Sequence, residues 1–322
     1  MNSIMRRLKP MKERLKNMPI PVVATMLGAA TLSNIYQGLG YDWVRHLTMW
    51  AATAVLLFYI GKIILYPSVV KGEYKNTVPA SLYAGITMVT MILCSYYKDW
   101  APGPARIVLI AAVCIHAVHI LVFLFNNVFH GVKLDTFVPS WFVTFNGIMV
   151  STVVGLAMLP PIMAKAVLVW GLCIYTITIP FMVWRLATRE VKPAVCHTQA
   201  IVLAPCSLCL ASYLNLAQEP SMVLVGVLFF CVLASLVFII VKLPVFFAVP
   251  FAPGFAGLTF PMAIGIVASN KAAAFFTGAG QETLGYVVKQ IAGIQIYLTT
   301  AIIGMVLFGF LKMLFGAGKK AA

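Results

Sequence analysis

His116 and His119 stand three residues apart in one apolar segment, a spacing that sets two imidazoles on one helix face and would supply half of a tetrahedral zinc site. A zinc site needs a third ligand, and the apolar segments hold no carboxylate to provide it, so the pair reads as a polar contact between helices. Cys206 and Cys209 form a C-x-x-C whose sulfurs share a helix face. With no second pair and an apolar setting, they read as small buried hydrophobes, as do the other five cysteines. His197, near the start of a further apolar segment, is the candidate titrating group, because imidazole changes charge near neutral pH. The chain has no H-E-x-x-H, no phosphate loop and no Ser-His-Asp set. Neither an enzyme nor a bound metal or cofactor is therefore expected.

The acids are informative by position. Glu13, Asp42, Glu73, Asp99, Asp135, Glu190, Glu219 and Glu282 all fall outside the long apolar runs, in a chain of net charge +15. A carboxylate within a bilayer is costly and usually marks a proton relay or a cation site. Its absence points to small inorganic or organic anions as the partners of this chain. Nucleic acid is not among them, since the positive charge is spread along one membrane side and does not cluster on a folded basic domain.

With 62% apolar and 10% charged residues, the elements that position these groups must be membrane spans. About ten segments of roughly 20 residues are expected. They run from Pro21 to Gln37, His46 to Tyr66, Thr77 to Tyr97, Ala105 to Val128, Val138 to Leu159, Ile162 to Leu186, Thr198 to Leu216, Ser221 to Leu243, Pro253 to Asn270 and Leu284 to Phe315. Short loops leave one compact all-α unit over residues 19–315, flanked by a basic stretch, 1–18, and a basic tail, 316–322. Residues 1–18 could lie on anionic headgroups or form a solvated tail. The first segment is longer than a usual signal-peptide core, and an even number of spans fits if it is retained. Six of the 23 lysines and arginines, Arg45, Lys98, Arg106, Lys165, Lys271 and Lys289, fall opposite the termini, and the rest share their side. This bias orients both termini toward the cytoplasm of a plasma-membrane protein.

An internal period follows from the prolines. Pro21, Pro79, Pro139, Pro205 and Pro261 recur at 58, 60, 66 and 56 residues, about one helical hairpin each. The odd-numbered segments also carry the small and polar residues, whereas the even ones are oily. Polar side chains in lipid face the bundle interior or a water-filled path, so the odd helices should be inner and the even ones outer. Proline within a membrane helix frees a carbonyl and bends the chain, and five bent inner helices around one axis would enclose a narrow pore. Thr25, Thr87, Asn146, Ser207 and Thr259 are candidates to line it; the competing reading is that such residues merely let helices pack closely.

G-L-T-F-P-M at Gly257 to Met262, E-Y-K-N-T-V-P at Glu73 to Pro79, V-P-S-W-F at Val138 to Phe142 and I-V-L-A-P at Ile201 to Pro205 carry a resemblance. In these words the chain resembles the tellurite-resistance/dicarboxylate transporter family, which includes bacterial TehA and the slow anion channels of plant guard cells. The resemblance covers the chain from the first segment to the last. It implies ten helices in five hairpins with quasi-fivefold symmetry, inner helices kinked at proline, a central pore closed by a phenylalanine, and a homotrimer with one pore per subunit. Carried over by position, the gate is Phe260. A phenylalanine suits that role because its ring fills a pore a few ångströms wide, and swinging it aside costs about 0.5–1.5 kcal/mol of rotamer strain. The family spans two activities, an anion channel or passive transporter and a proton-coupled C4-dicarboxylate carrier; the scarcity of titrating groups in the spans favours the first.

Overall fold

The computed structural model describes residues 12–315. The expectations for the tail 316–322, and for most of the basic stretch 1–18, lie outside the described residues. Helices make up all of the regular structure described. In chain order they are α1 (Pro21–Gly38), α2 (Asp42–Leu65), α3 (Pro67–Tyr74), α4 (Thr77–Leu82), α5 (Ala84–Tyr97), α6 (Pro102–Leu124) and α7 (Trp141–Asn146). There follow α8 (Val150–Val154), α9 (Pro161–Thr188), α10 (Leu203–Leu216), α11 (Met222–Phe247), α12 (Thr259–Gly278) and α13 (Glu282–Phe315). Asp42 and Glu282 sit in the first turns of α2 and α13, where an anion complements the helix dipole and stays near the membrane edge.

Eight helical stretches among the described residues are long and apolar enough to cross a membrane. The first and fifth segments fall outside that set: α1 has 18 residues rich in Gly, Ala, Ser and Thr, and Trp141–Val154 is short and broken. Burial separates two layers. The most apolar windows of Thr77–Tyr97, Val195–Leu216 and Pro253–Gly278 are 61%, 89% and 72% buried, whereas those of the five even segments are between 22% and 33% buried. In α1 every residue from Val22 to Ser33 is buried. Polarity in the sequence thus marked the inner layer, because an inner helix buries all its faces against protein and can satisfy its polar groups there.

Each inner segment packs on the outer helix that follows it: α1 on α2, α5 on α6, α7 on α9, α10 on α11 and α12 on α13. The inner segments also touch in sequence. α1 meets α5, α4 and α5 meet α7 and α8, these meet α10, α10 meets α12, and α12 returns to α1. The contacts therefore close on themselves around an axis.

The prolines act at junctions within the inner segments and do not bend continuous helices. Pro21 opens α1, and Pro139 lies two residues before α7. Pro79, Pro205 and Pro261 each occupy the third position of an α-helical stretch. In the seventh and ninth segments a 3-10 stretch, Pro193–Val202 and Pro253–Leu258, precedes that α-helix. A proline in the first α turn lacks an N–H that would have had no helical partner, so the change of winding falls just before it.

Both ends of the described chain reach one face, where the Arg14 guanidinium lies 5.4 Å from the centre of the Phe315 ring. We call this the terminal face and its opposite the distal face. On the terminal face a buried network anchors the start of α1. The Lys62 ammonium donates to the Met18 carbonyl at 2.8 Å and to Glu73 Oε1 at 2.7 Å, the Tyr59 hydroxyl donates to the same carbonyl, and the Tyr83 hydroxyl donates to Glu73 Oε2. Lys62 is fully buried and Glu73 is 30% exposed. Removing one partner strands the other charge, so Lys62→Met should lower unfolding stability by about 3 kcal/mol, the low end for a buried pair because Glu73 keeps some water. The double variant Lys62→Met/Glu73→Leu should recover most of that loss. Thermal unfolding of the purified proteins tests this, and equal stability of wild type and Lys62→Met would refute it.

Candidate functional site

Two cavities lie inside the ring of inner segments, and Phe260 walls both. The larger, of about 400 Å³, opens among the terminal-face ends of all five inner segments. Its walls are Pro21, Ala24 and Leu27 of α1, Pro79 and Leu82 of α4, Phe142 of α7, Ile201, Ala204 and Leu208 of the seventh segment, and Ala256, Phe260 and Pro261 of the ninth, with their neighbours. Thr198 is the one wall residue with a polar side chain, and its hydroxyl donates to the Val195 carbonyl at 2.6 Å. The smaller cavity, of about 140 Å³, lies toward the distal face between Phe260, Ile264, Val267 and Lys271 of α12 and Thr31, Asn34, Ile92, Val150, Val153 and Val154. Phe260 itself is 6% exposed. Phe260 is thus common to the walls of both spaces.

Backbone contacts fix the start of α12. A Cβ at Gly28 would come within 2.7 Å of the Phe260 nitrogen and the Thr259 carbonyl carbon, so only hydrogen fits between α1 and this turn. The Thr259 hydroxyl bonds the carbonyls of Ala256 and Ala24, at 2.8 and 3.2 Å, joining the same two elements. On the other side, a Cβ at Gly257 would lie 2.7 Å from the His197 carbonyl oxygen. The turn that carries Phe260 is therefore held between the first and seventh segments.

The five residues expected to line a pore lie instead in the seams between helices, and none walls either cavity. Thr25 bonds the Pro21 carbonyl, Ser207 that of Leu203, Thr87 that of Ala84 and Thr259 that of Ala256. Asn146 donates to the Gly171 carbonyl at 3.0 Å and leaves its Oδ1 buried without a partner. The physical reason is local: a Ser or Thr hydroxyl on a helix reaches the carbonyl three or four residues back, so it needs no water and can be buried in a seam. The walls are left to aliphatic side chains.

His116 is fully buried between the third and fifth segments. Its Nε2–H donates to the Thr144 carbonyl at 2.9 Å, and its Nδ1 lies 2.7 Å from the Thr87 hydroxyl, whose single proton is shared between this nitrogen and the Ala84 carbonyl. His119 Nδ1 lies 2.8 Å from the Tyr74 hydroxyl, and its Nε2 is 3.3 Å from Thr144 Oγ1. Burial raises the pKa of Tyr74, which lies outside the spans, so its phenol stays protonated and donates to the ring. All four nitrogens are engaged within the helix interface. Cys206 Sγ faces the Leu203 carbonyl and Ser235, whereas Cys209 Sγ faces Gly171 and Met149, so the two thiols serve different seams. His197 is buried with Nε2–H donating to the Phe246 carbonyl at 3.0 Å and its ring 3.9 Å from that of Phe255. It walls neither cavity.

A ring of buried helices, an outer layer of long apolar helices and paired axial cavities define a multi-pass membrane protein of the channel or transporter type. Residues 17–314 match the model of a family described as voltage-dependent anion channel, and the chain belongs to that family. It is accordingly an anion channel or transporter-like membrane protein, consistent with the resemblance carried by Gly257–Met262. A comparison with curated proteins finds no match.

Proposed function

We propose that the chain is an anion channel or passive transporter whose path follows the axis of the inner ring and is closed at Phe260. The observation that carries this reading is that one ring walls both the terminal-face cavity and the distal cavity, with aliphatic side chains around it. An aliphatic constriction stays dry, and an ion cannot cross a dry constriction without losing its water, so ring and walls act together as the closure. In this reading the chain forms five helical hairpins with quasi-fivefold symmetry, one pore per chain, in a homotrimer of the plasma membrane with both ends in the cytoplasm. The terminal face then bears most of the lysines and arginines, which raise the local concentration of anions at that mouth.

The test is electrical. In oocytes or planar bilayers, current through the protein should reverse at the equilibrium potential of the permeant anion and keep that reversal potential when the proton gradient is changed. A reversal potential that follows the proton gradient, with uptake of labelled malate, would identify a proton-coupled dicarboxylate carrier instead. His197 separates the two further. With its ring hydrogen-bonded, packed against Phe255 and absent from the walls of both cavities, His197→Gln should leave the pH dependence of current as in wild type. A selective loss of pH dependence in that variant would make His197 a transport residue and support the carrier.

A further inference from the structure

The distal cavity differs from the terminal-face cavity in its donors. Lys271 walls it and is only half-buried, 11 residues or about three helical turns beyond Phe260, roughly 16 Å along α12. The ion pairs among the described residues are Lys62 with Glu73 and Lys192 with Asp135, so no carboxylate neutralises Lys271. The distal acids Asp42, Asp99, Glu219 and Glu282 are absent from the cavity wall. Asn34 walls the same cavity, and its Oδ1 accepts from Arg45 Nε at 2.8 Å. Because a guanidinium can only donate, this bond fixes the amide orientation and leaves the Asn34 NH2 as the free end. Arg45 is itself held, by the Ser95 carbonyl at 3.4 Å and over the Tyr96 ring at 5.0 Å, so the amide is oriented by a rigid support. Thr31 contributes no donor, since its hydroxyl is given to the Leu27 carbonyl at 2.9 Å.

We propose that the distal cavity is an anion subsite, in which the Lys271 ammonium and the Asn34 amide N–H group hold one small monovalent anion in line with Phe260. This rests on the reading of the axis as an anion path. The volume of about 140 Å³ exceeds the roughly 30 Å³ of a water molecule several-fold, enough for a halide or nitrate with part of its hydration. One ammonium balances one charge. The second carboxylate of a dicarboxylate would face Ile92, Val150, Val153 and Val154, which offer no compensating donor. The subsite therefore selects monovalent anions over dicarboxylates on the distal side of the gate, and it places an anion there ready to move when the ring swings aside.

The probe is bromide, located by anomalous diffraction from crystals of the full chain soaked in the salt. In the wild type a bromide peak is expected within hydrogen-bonding reach of Lys271 Nζ and Asn34 Nδ2. It should persist in Lys271→Arg and vanish in Lys271→Gln, with the protein otherwise unchanged. In conducting protein carrying Phe260→Ala, Lys271→Gln should raise the half-saturating bromide concentration about tenfold, as expected for losing one charge-assisted hydrogen bond. No peak in the wild type, or an equal peak in Lys271→Gln, overturns the subsite. A peak that behaves as expected while Phe260→Ala passes no anion current would retain the subsite and overturn the pore; current without the peak would do the reverse.

Discussion

Phe260→Ala is expected to raise anion current by more than about tenfold over wild type, across chloride, nitrate and malate. Phe260 walls both cavities, and in the proposed path deletion of its ring would join a space of about 400 Å³ to one of about 140 Å³. A tenfold rise requires the barrier to fall by only about 1.4 kcal/mol. A dry constriction poses more than that to a hydrated ion, because desolvating a charge costs several kcal/mol even after relaxation. The gain should be larger for chloride and nitrate than for malate, since the distal cavity on the same path offers one ammonium and no donor for a second carboxylate. Phe260→Leu should fall between the two, its side chain filling less of the axis. Current unchanged in Phe260→Ala, with the protein folded and in the membrane, would place the closure elsewhere or remove the pore altogether.

Gly28→Val is expected to have the second largest effect, on stability and on the gate together. A Cβ at Gly28 would meet the Thr259 carbonyl carbon and the Phe260 nitrogen at 2.7 Å, both backbone atoms that cannot swing away. The two segments must separate, which costs roughly 1–3 kcal/mol of overpacking, and the displaced backbone is the one that carries Phe260. Lower thermal stability and altered current are therefore predicted in the same variant, with Gly28→Ala intermediate. Gly226→Ala on the outer helix α11 is the control, because nothing lies within 4 Å of a Cβ placed there, and it should match wild type in both measurements. Wild-type stability and current in Gly28→Val would show that the α1–α12 seam does not position Phe260.

Several features of this protein follow from its sequence alone. The membrane class follows from a composition no soluble core can accommodate. The inner and outer layers follow from polarity, since a hydroxyl or amide facing lipid is costly and its presence in the odd segments already places them inside. The helix starts at or near Pro21, Pro79, Pro139, Pro205 and Pro261 are local as well, because the missing N–H and fixed φ act on the residue's own turn, although the sequence led to an expectation of kinks there and not of helix starts. The choice of Phe260 came from the resemblance at Gly257–Met262, as 21 phenylalanines are otherwise alike in sequence.

Which side chains meet the axis was decided only by the tertiary structure. Thr25, Thr87, Asn146, Ser207 and Thr259 have the polarity a pore wall would want, yet helical geometry returns their hydrogen bonds to nearby or facing carbonyls and buries them in seams. The wall positions go to Leu82, Ile201 and Leu208, whose sequence context resembles any apolar helix. Gly28 reads in sequence as one small residue among many, and only the crossing of α1 over α12 makes it the contact that seats Phe260. Lys271 reads as one cation near a distal loop; the turn of α12 that brings it to the same cavity as Asn34 and Phe260 is set by the packing of segments distant in sequence. Composition and periodicity act along the chain and fix which helices are buried. The rotation of each helix about its own axis depends on contacts between helices, and no local pattern encodes it.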